Sequence, residues 1–250
     1  MYRDCSTTVI IPCYNEEEGI LRVLQKVPSF VDEIIVVDGG STDHTERIAR
    51  VAGADVIVEY QRGYGRAYKR GFERATGDII VTCDGDATYP VEHISELLDY
   101  LIDTPLDFVS ASRFPLRDKR SMSFRNFAGN VIIAVLLMLL FHEKITDALS
   151  GMWAFRRECL AGINLVSDNW DFSAEIKIEA IRNPGIRFGE YPIIYRERLG
   201  DTKVFPWRTG VANMGFLFYK RLVTLGPGRF VDMHRQGGKV GRGTGPQKPS

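Results

Sequence analysis

A chain of 250 residues can bury a sizeable core as one large α/β domain or two small ones. Its 32 Lys and Arg balance 32 Asp and Glu, so no global field draws it to nucleic acid, and no nucleic-acid partner is expected. Four cysteines (Cys5, Cys13, Cys83, Cys159) lie far apart without a C-x-x-C pair, which argues against a zinc site or disulfide framework and for separate thiols in a reducing compartment.

The polar start runs directly into TTVIIP and carries no secretory-signal pattern. Over the first 115 residues, β-branched runs at Thr8–Ile11, Glu33–Val37, Asp55–Val58, Asp78–Thr82 and Asp107–Ser110 predict strands. Between them, Glu16–Lys26, Asp43–Ala52, Tyr64–Ala75 and Val91–Ile102 have helical spacing. Strands of about five residues alternating with longer helices predict an α/β fold with a mostly parallel, buried sheet. Gly53 and Gly77 after helices and Pro90 at a helix start agree with this.

From Ser121 the alternation stops. The basic-aromatic patch RDKRSMSFRNF leads into VIIAVLLMLLF, residues 131–141. Eleven apolar residues fall short of the roughly 18–20 that span a bilayer, so a core or interfacial helix is expected. Strands are predicted at Gly151–Phe155 and Phe188–Tyr195, with a helix around Ala174–Ile181 between them. Asn213–Leu225 reads as a helix with Phe216, Phe218 and Tyr219 beside Lys220 and Arg221, a possible second surface contact. The glycine-rich, basic end at 233–250 reads as a disordered tail.

In an open α/β sheet, ligands bind beyond the carboxyl ends of the strands. PCYNEEEG after the first strand, VVDGGSTD after the second and CDGD after the fourth should therefore meet at one rim. The carboxylates of Asp84 and Asp86 suit a hard divalent cation, Mg²⁺ or Mn²⁺, with phosphate oxygens completing its shell. G-x-G-x-x-G is absent after the first strand, and GYGRA at 63–67 lacks the G-K-[ST] of a phosphate loop. That segment reads as a helix start beside the cleft, with Arg66 facing a ligand.

The order PCYNEEEG, EIIVVDGGSTD, GYGRAYKRGFERATGDIIVTCDGDATYP, SASRF, DALSGMWAFRRE and RERLGDTK resembles the family 2 (GT-A fold) glycosyltransferases, particularly the dolichyl-phosphate mannose/glucose synthase branch. The resemblance covers about residues 6–205. It implies a GT-A, Rossmann-like sheet flanked by helices, a nucleotide-sugar donor of the GDP-mannose, UDP-glucose or UDP-GlcNAc type, and inversion at the anomeric carbon. Pro12, Tyr14 and Glu16 would surround the nucleoside and Asp38 would bond the base edge, with Arg66 and Gly85 also on the donor side. Asp86 would be the main metal ligand and Asp84 would lie nearer the ribose and metal shell. Arg113 and Arg125 match arginines expected near the acceptor phosphate, and Lys203 matches a lysine expected near donor or acceptor phosphate. The family's arginine three residues before Gly200 is here Glu197, flanked by Arg196 and Arg198, either of which could serve the acceptor phosphate.

A polyprenyl or dolichyl phosphate acceptor is favoured because Arg113, Arg117, Lys119, Arg120 and Arg125 directly precede the apolar run. Such an enzyme would sit peripherally on the cytoplasmic face of a membrane, as one catalytic domain over 1–232 with its nucleotide-sugar half at 1–115 and its acceptor and membrane-facing half at 116–232. Asp147 would orient an arginine or the sugar, or act as base for a hydroxyl acceptor; Glu175 is a weaker acidic candidate. Two rival readings keep the same cleft: transfer to a hydroxyl of a glycan or lipid-linked saccharide, and a non-catalytic nucleotide-sugar or lipid-binding module.

Overall fold

The computed structural model describes residues 1–200 and 206–225; Lys203 and the tail expected at 233–250 lie outside them. The elements follow the predicted order. They are β1 (Thr7–Cys13), α1 (Glu17–Lys26), β2 (Glu33–Asp38), α2 (Thr45–Val51), β3 (Asp55–Val58), α3 (Tyr64–Arg74), β4 (Ile79–Thr82) and α4 (Ile94–Asp103). Then come β5 (Phe108–Ser112), α5 (Phe124–Phe141), β6 (Trp153–Arg156), α6 (Phe172–Arg182), β7 (Phe188–Pro192) and α7 (Pro206–Leu225). One seven-stranded sheet runs β3-β2-β1-β4-β6-β5-β7.

β1 pairs in parallel with β2 (Ile10↔Ile35) and with β4 (Val9↔Val81). The strands at the sheet's centre are buried on both faces, so they read as unbroken apolar runs rather than alternating ones. β6 runs antiparallel to both β4 and β5. The start of β6 therefore lies at the same edge as the carboxyl ends of β1, β2, β4, β5 and β7, and all the connecting loops there converge.

Two apolar layers cover the sheet. Ile20, Val23, Leu97 and Leu101 of α1 and α4 pack on one face. Tyr68, Phe72, Phe172 and Ile176 of α3 and α6 pack on the other. The opposite side of α6 carries Ala174 and Ile178 into a third cluster with Ile133, Leu137 and Leu217 of α5 and α7. Being covered on both sides, α6 buries Glu175, Lys177 and Glu179 as well. Glu175 accepts from Val166 N–H and Ser167 N–H and pairs with Lys220 of α7 at 2.6 Å; Glu179 lies 3.2 Å from the same ammonium. Lys220, expected at an outer surface, is thus a buried anchor for α7.

The apolar run is longer than the sequence indicated. Ser123 caps α5 by accepting from Asn126 N–H, and His142 ends it in the left-handed conformation, so the basic-aromatic segment joins the run in one 18-residue helix. α5 has the length and apolarity of a membrane-crossing helix, yet only 22% of it is buried. Phe124, Ile132, Leu139, Val211 and Leu222 of α5 and α7 leave apolar surface exposed.

Lys220→Met should strip the cation from two buried carboxylates and destabilise the fold by about 3–5 kcal/mol, read as a fall in urea midpoint.

Candidate active site

A cavity of about 690 Å³ opens along the carboxyl edge of the sheet. Its inner wall carries Pro12, Tyr14, Glu16, Asp84, Gly85 and Asp86; its outer wall carries Arg113, Arg125 and the facing sides of α5 and α7. Parallel pairing of β1 with β4 brings the loop after Cys13 beside the loop after Thr82. Gly19 of α1 makes this approach possible, because a Cβ there would lie 2.5 Å from the Gly85 carbonyl oxygen.

Asp86 is buried, and its Oδ1 accepts from Thr88 N–H (3.0 Å) and Thr88 Oγ1 (2.7 Å). That bond closes a turn through Ala87, whose φ of 62° lies in the left-handed region. The other oxygen of Asp86 accepts from Arg198 at 2.6 Å, and the same guanidinium reaches Glu16. Asp84 accepts from the Tyr64 hydroxyl at 3.1 Å. Burial, and then the charge of Asp86, push the Asp84 carboxyl up to about 7. Two hard carboxylates so close, one of them held against ionisation, are the donor set a divalent cation stabilises, so the pair fits Mg²⁺ or Mn²⁺. Among the described residues no group of three or more His, Cys, Asp or Glu could hold an ion by itself, so the rest of the shell would come from bound phosphate or water.

Asp38 lies under the rim, buried, with Ser41 donating to both its oxygens through N–H (3.1 Å) and the hydroxyl. Burial still raises its pKa. Its neighbour Gly39, rather than Asp38, lines the cavity. Arg113 is pinned by Asp147: Nε to Oδ2 at 2.7 Å, Nη2 to Oδ1 at 2.7 Å and backbone N to Oδ2 at 2.9 Å. Its guanidinium lies over the Tyr195 ring at 5.2 Å. Asp147 is wholly buried; burial alone would raise its pKa, but the Arg113 guanidinium holds it below the usual carboxylate range. Lys177 donates to the carbonyls of Asp147 (2.8 Å) and Ala148 (3.1 Å).

Most of the predicted residues line this cavity, but Asp38 and Asp147 lie behind its wall and two arginines face elsewhere. Arg66 turns to Asp168 at 2.6 Å. Arg196 pairs with Glu92 at 2.8 Å, beside a small second pocket behind Ala87. Arg198 therefore takes the inward position that the sequence left open between the two. Sequence reasoning missed Trp170, stacked on Tyr64 at 4.6 Å and lining the cavity, because it sits in a loop with no periodic pattern. It also missed Lys177, which lies in an otherwise ordinary helical run.

The glycosyl transferase family 2 model matches residues 8–163. The chain belongs to glycosyl transferase family 2. This glycosyltransferase is 38% identical over 207 residues to the dolichyl-phosphate hexose transferase of Haloferax volcanii, covering 82% of this chain and 89% of that one. It is 32% identical to glycosyltransferase AglJ of the same organism, over 88% and 73% of the two chains. Among solved structures it is similar to glucosyl-3-phosphoglycerate synthase from Mycobacterium tuberculosis in complex with UDP, with TM-score 0.71 and 23% identity over 88% of this chain and 80% of that one. A complex of that synthase with Mn²⁺, UDP and glucosyl-3-phosphoglycerate gives TM-score 0.67 at 22% identity, over 87% and 80% of the two chains. These likenesses establish the GT-A fold.

Two predictions follow from the packing around the carboxylates. Gly19→Ala should push α1 off the Gly85–Asp86 backbone and cost about 1–3 kcal/mol of stability by urea denaturation. The second concerns Glu92. Burial would raise its pKa, but bonds from Arg196 and Lys26 outweigh it and lower the value from 4.5 to about 2. A depressed carboxylate contributes stability in full above its unfolded value and loses it as pH falls through the folded one. Glu92→Gln should therefore show a shallower loss of stability between pH 4.5 and 2 than the parent chain.

Proposed function

We propose that this glycosyltransferase moves one hexose, with inversion, from a nucleoside-diphosphate sugar to a polyprenyl (dolichyl-type) phosphate, while seated peripherally on the cytoplasmic face of a membrane. The observation that carries the proposal is the course of the cavity. It runs from the Asp84–Asp86 pair, past Arg113 and Arg125, to the flank of two helices whose outer faces are apolar and exposed. That lining supports a donor end at the carboxylates, a phosphate site at the arginines and a lipid-facing mouth between the helices.

Pro12, Tyr14 and Glu16 would hold the nucleoside, Asp38 would act on the base edge from behind Gly39 by fixing the Ser41 turn, and Gly85 would line the diphosphate's side of the cavity. Asp84 and Asp86 would hold Mg²⁺ or Mn²⁺, which supplies charge neutralisation for the departing diphosphate. The bond from the anomeric carbon to the diphosphate oxygen breaks as a phosphate oxygen of the acceptor bonds to that carbon from the opposite face, releasing the nucleoside diphosphate. A phosphate monoester, with a second pKa near 6, is largely dianionic at pH 7 and needs no base. Arg113, held rigid by Asp147, and Arg125 at the start of α5 would grip its remaining oxygens.

Asp147 supports this acceptor over a hydroxyl. A hydroxyl needs a carboxylate to take its proton, yet both oxygens of Asp147 are engaged by Arg113. The Haloferax relative named for dolichyl phosphate supports the same acceptor, and the neighbours bound to UDP and Mn²⁺ support the donor class and the ion.

The test is turnover of labelled UDP- and GDP-sugars with dolichyl phosphate in detergent, with Mg²⁺ or Mn²⁺. Lipid-extractable label from one donor is expected, reduced on the order of 100-fold or more in Asp86→Asn. Arg113→Lys should mainly raise KM for the acceptor, since a lysine cannot reproduce the two-pronged bond. Label on an added saccharide without lipid product would overturn the acceptor, and donor binding without turnover would favour a binding module.

A further inference from the structure

Two asparagines face the acceptor half of this cavity with unmet hydrogen bonds. Asn130 of α5 is 1% exposed and Asn213 of α7 is 2% exposed, and both line the cavity. Asn130 Oδ1 accepts from Leu149 N–H at 3.0 Å, which fixes the amide orientation and leaves Nδ2 as its other end. That Nδ2 and the Asn213 Oδ1 are both buried with no hydrogen-bond partner. An unpaired buried polar group is costly, so packing alone is a poor account of two of them in one cavity lining.

Their helix positions sharpen the point. The buried stripe of α5 reads Asn130, Ile133, Leu137, Phe141, and that of α7 reads Asn213, Leu217, Lys220. Leu217, Ile133 and Leu137 form an apolar cluster with α6, and about one turn before it each stripe places an asparagine in the cavity lining. A leucine at 130 or 213 would extend the apolar seam. Gly129 and Gly210 line the same wall, and a side chain at either would meet nothing within 4 Å, so the helices leave room beside the asparagines.

We infer that Asn130 and Asn213 form an amide clamp that donates N–H bonds to oxygens of the acceptor's phosphate, in the same cavity lining as Arg113. This rests on the polyprenyl phosphate reading above and adds specificity residues to it. Asn130 can present only N–H to the cavity, because its oxygen is committed to Leu149. Asn213 has no bond that fixes its amide, so it turns its N–H inward when an anion arrives. The neutral amides complement the arginines: they add directed donors without adding charge that would hold the product phosphate too tightly.

The test is binding of a short, water-soluble polyprenyl phosphate, citronellyl phosphate, to the full chain by calorimetry, with citronellol and inorganic phosphate as comparisons. The wild-type chain should bind citronellyl phosphate and prefer it to both. Asn213→Ala should weaken binding about tenfold, the scale of one lost hydrogen bond to a charged group. Asn213→Asp, same in shape but an acceptor with negative charge, should weaken it at least tenfold further. Asn130→Asp should behave alike, and thermal melts of each variant identify any that fails to fold; Asn213→Ala and Asn213→Asp then decide the matter. Wild-type binding retained in folded Asn213 variants overturns the clamp while the acceptor reading stands. Asp variants that bind as well as wild type would assign these residues to a hydroxyl instead and overturn the phosphate contact. A wild-type chain that does not prefer citronellyl phosphate to citronellol overturns the acceptor reading and the clamp together, and inorganic phosphate bound as tightly overturns the lipid source.

Discussion

The carboxylate of Asp147 has no exposure to solvent, and its surroundings organise the outer half of the molecule. Arg113, just past β5, takes both its oxygens, and Lys177 of α6 takes its carbonyl. Glu190 of β7 accepts its backbone N–H, and Asn130 of α5 accepts that of Leu149 two residues on. Four elements thus meet at one loop, three through charge-assisted bonds and α5 through an amide. Removing Arg113 would leave the Asp147 charge without its main compensation in a medium that solvates it poorly, so that pair is rigid. The consequence is a guanidinium held in a fixed direction at the cavity wall.

At the inner end the same physics has another outcome. Asp84 and Asp86 are buried close together, and Arg198 supplies a cation to Asp86 and Glu16 while Asp84 is left to a tyrosine hydroxyl. The segment carrying Arg198 lies on the carboxylate turn through Leu199 N–H to the Asp86 carbonyl and Arg196 N–H to the Thr88 carbonyl. A negative site with this much carboxylate and this little compensation is suited to cations and their anionic ligands.

α6 connects the two ends mechanically. It is buried on one side against the sheet and on the other against α5 and α7, and its glutamates hold Lys220. The pair α5–α7 is thereby fixed by its inner seam while its outer face stays apolar and exposed. Exposed apolar helix surface of this extent is characteristic of interaction sites.

Local chemistry was enough to read the alternating first half. β-Branched runs, helical spacing and glycine stops depend on nearest neighbours, and a parallel sheet then forces the loops after β1, β2 and β4 to one edge. Asp84, Asp86, Glu16 and Tyr14 were legible for that reason. The reversal of β6 was not, since a strand of four residues carries no sign of its direction. Nor was the choice of Arg198 over Arg196, because residues two apart in a regular extended segment would face the same side, and only the irregular path of this segment along the Asp86–Thr88 turn sends Arg196 to Glu92 and Arg198 to Asp86. Lys177, Lys220 and Asn130 look like surface residues of ordinary helices in the sequence. They became interior because α6 is covered on both sides and α5 and α7 close over the cavity, and burial by distant elements is a property that only the tertiary structure decides.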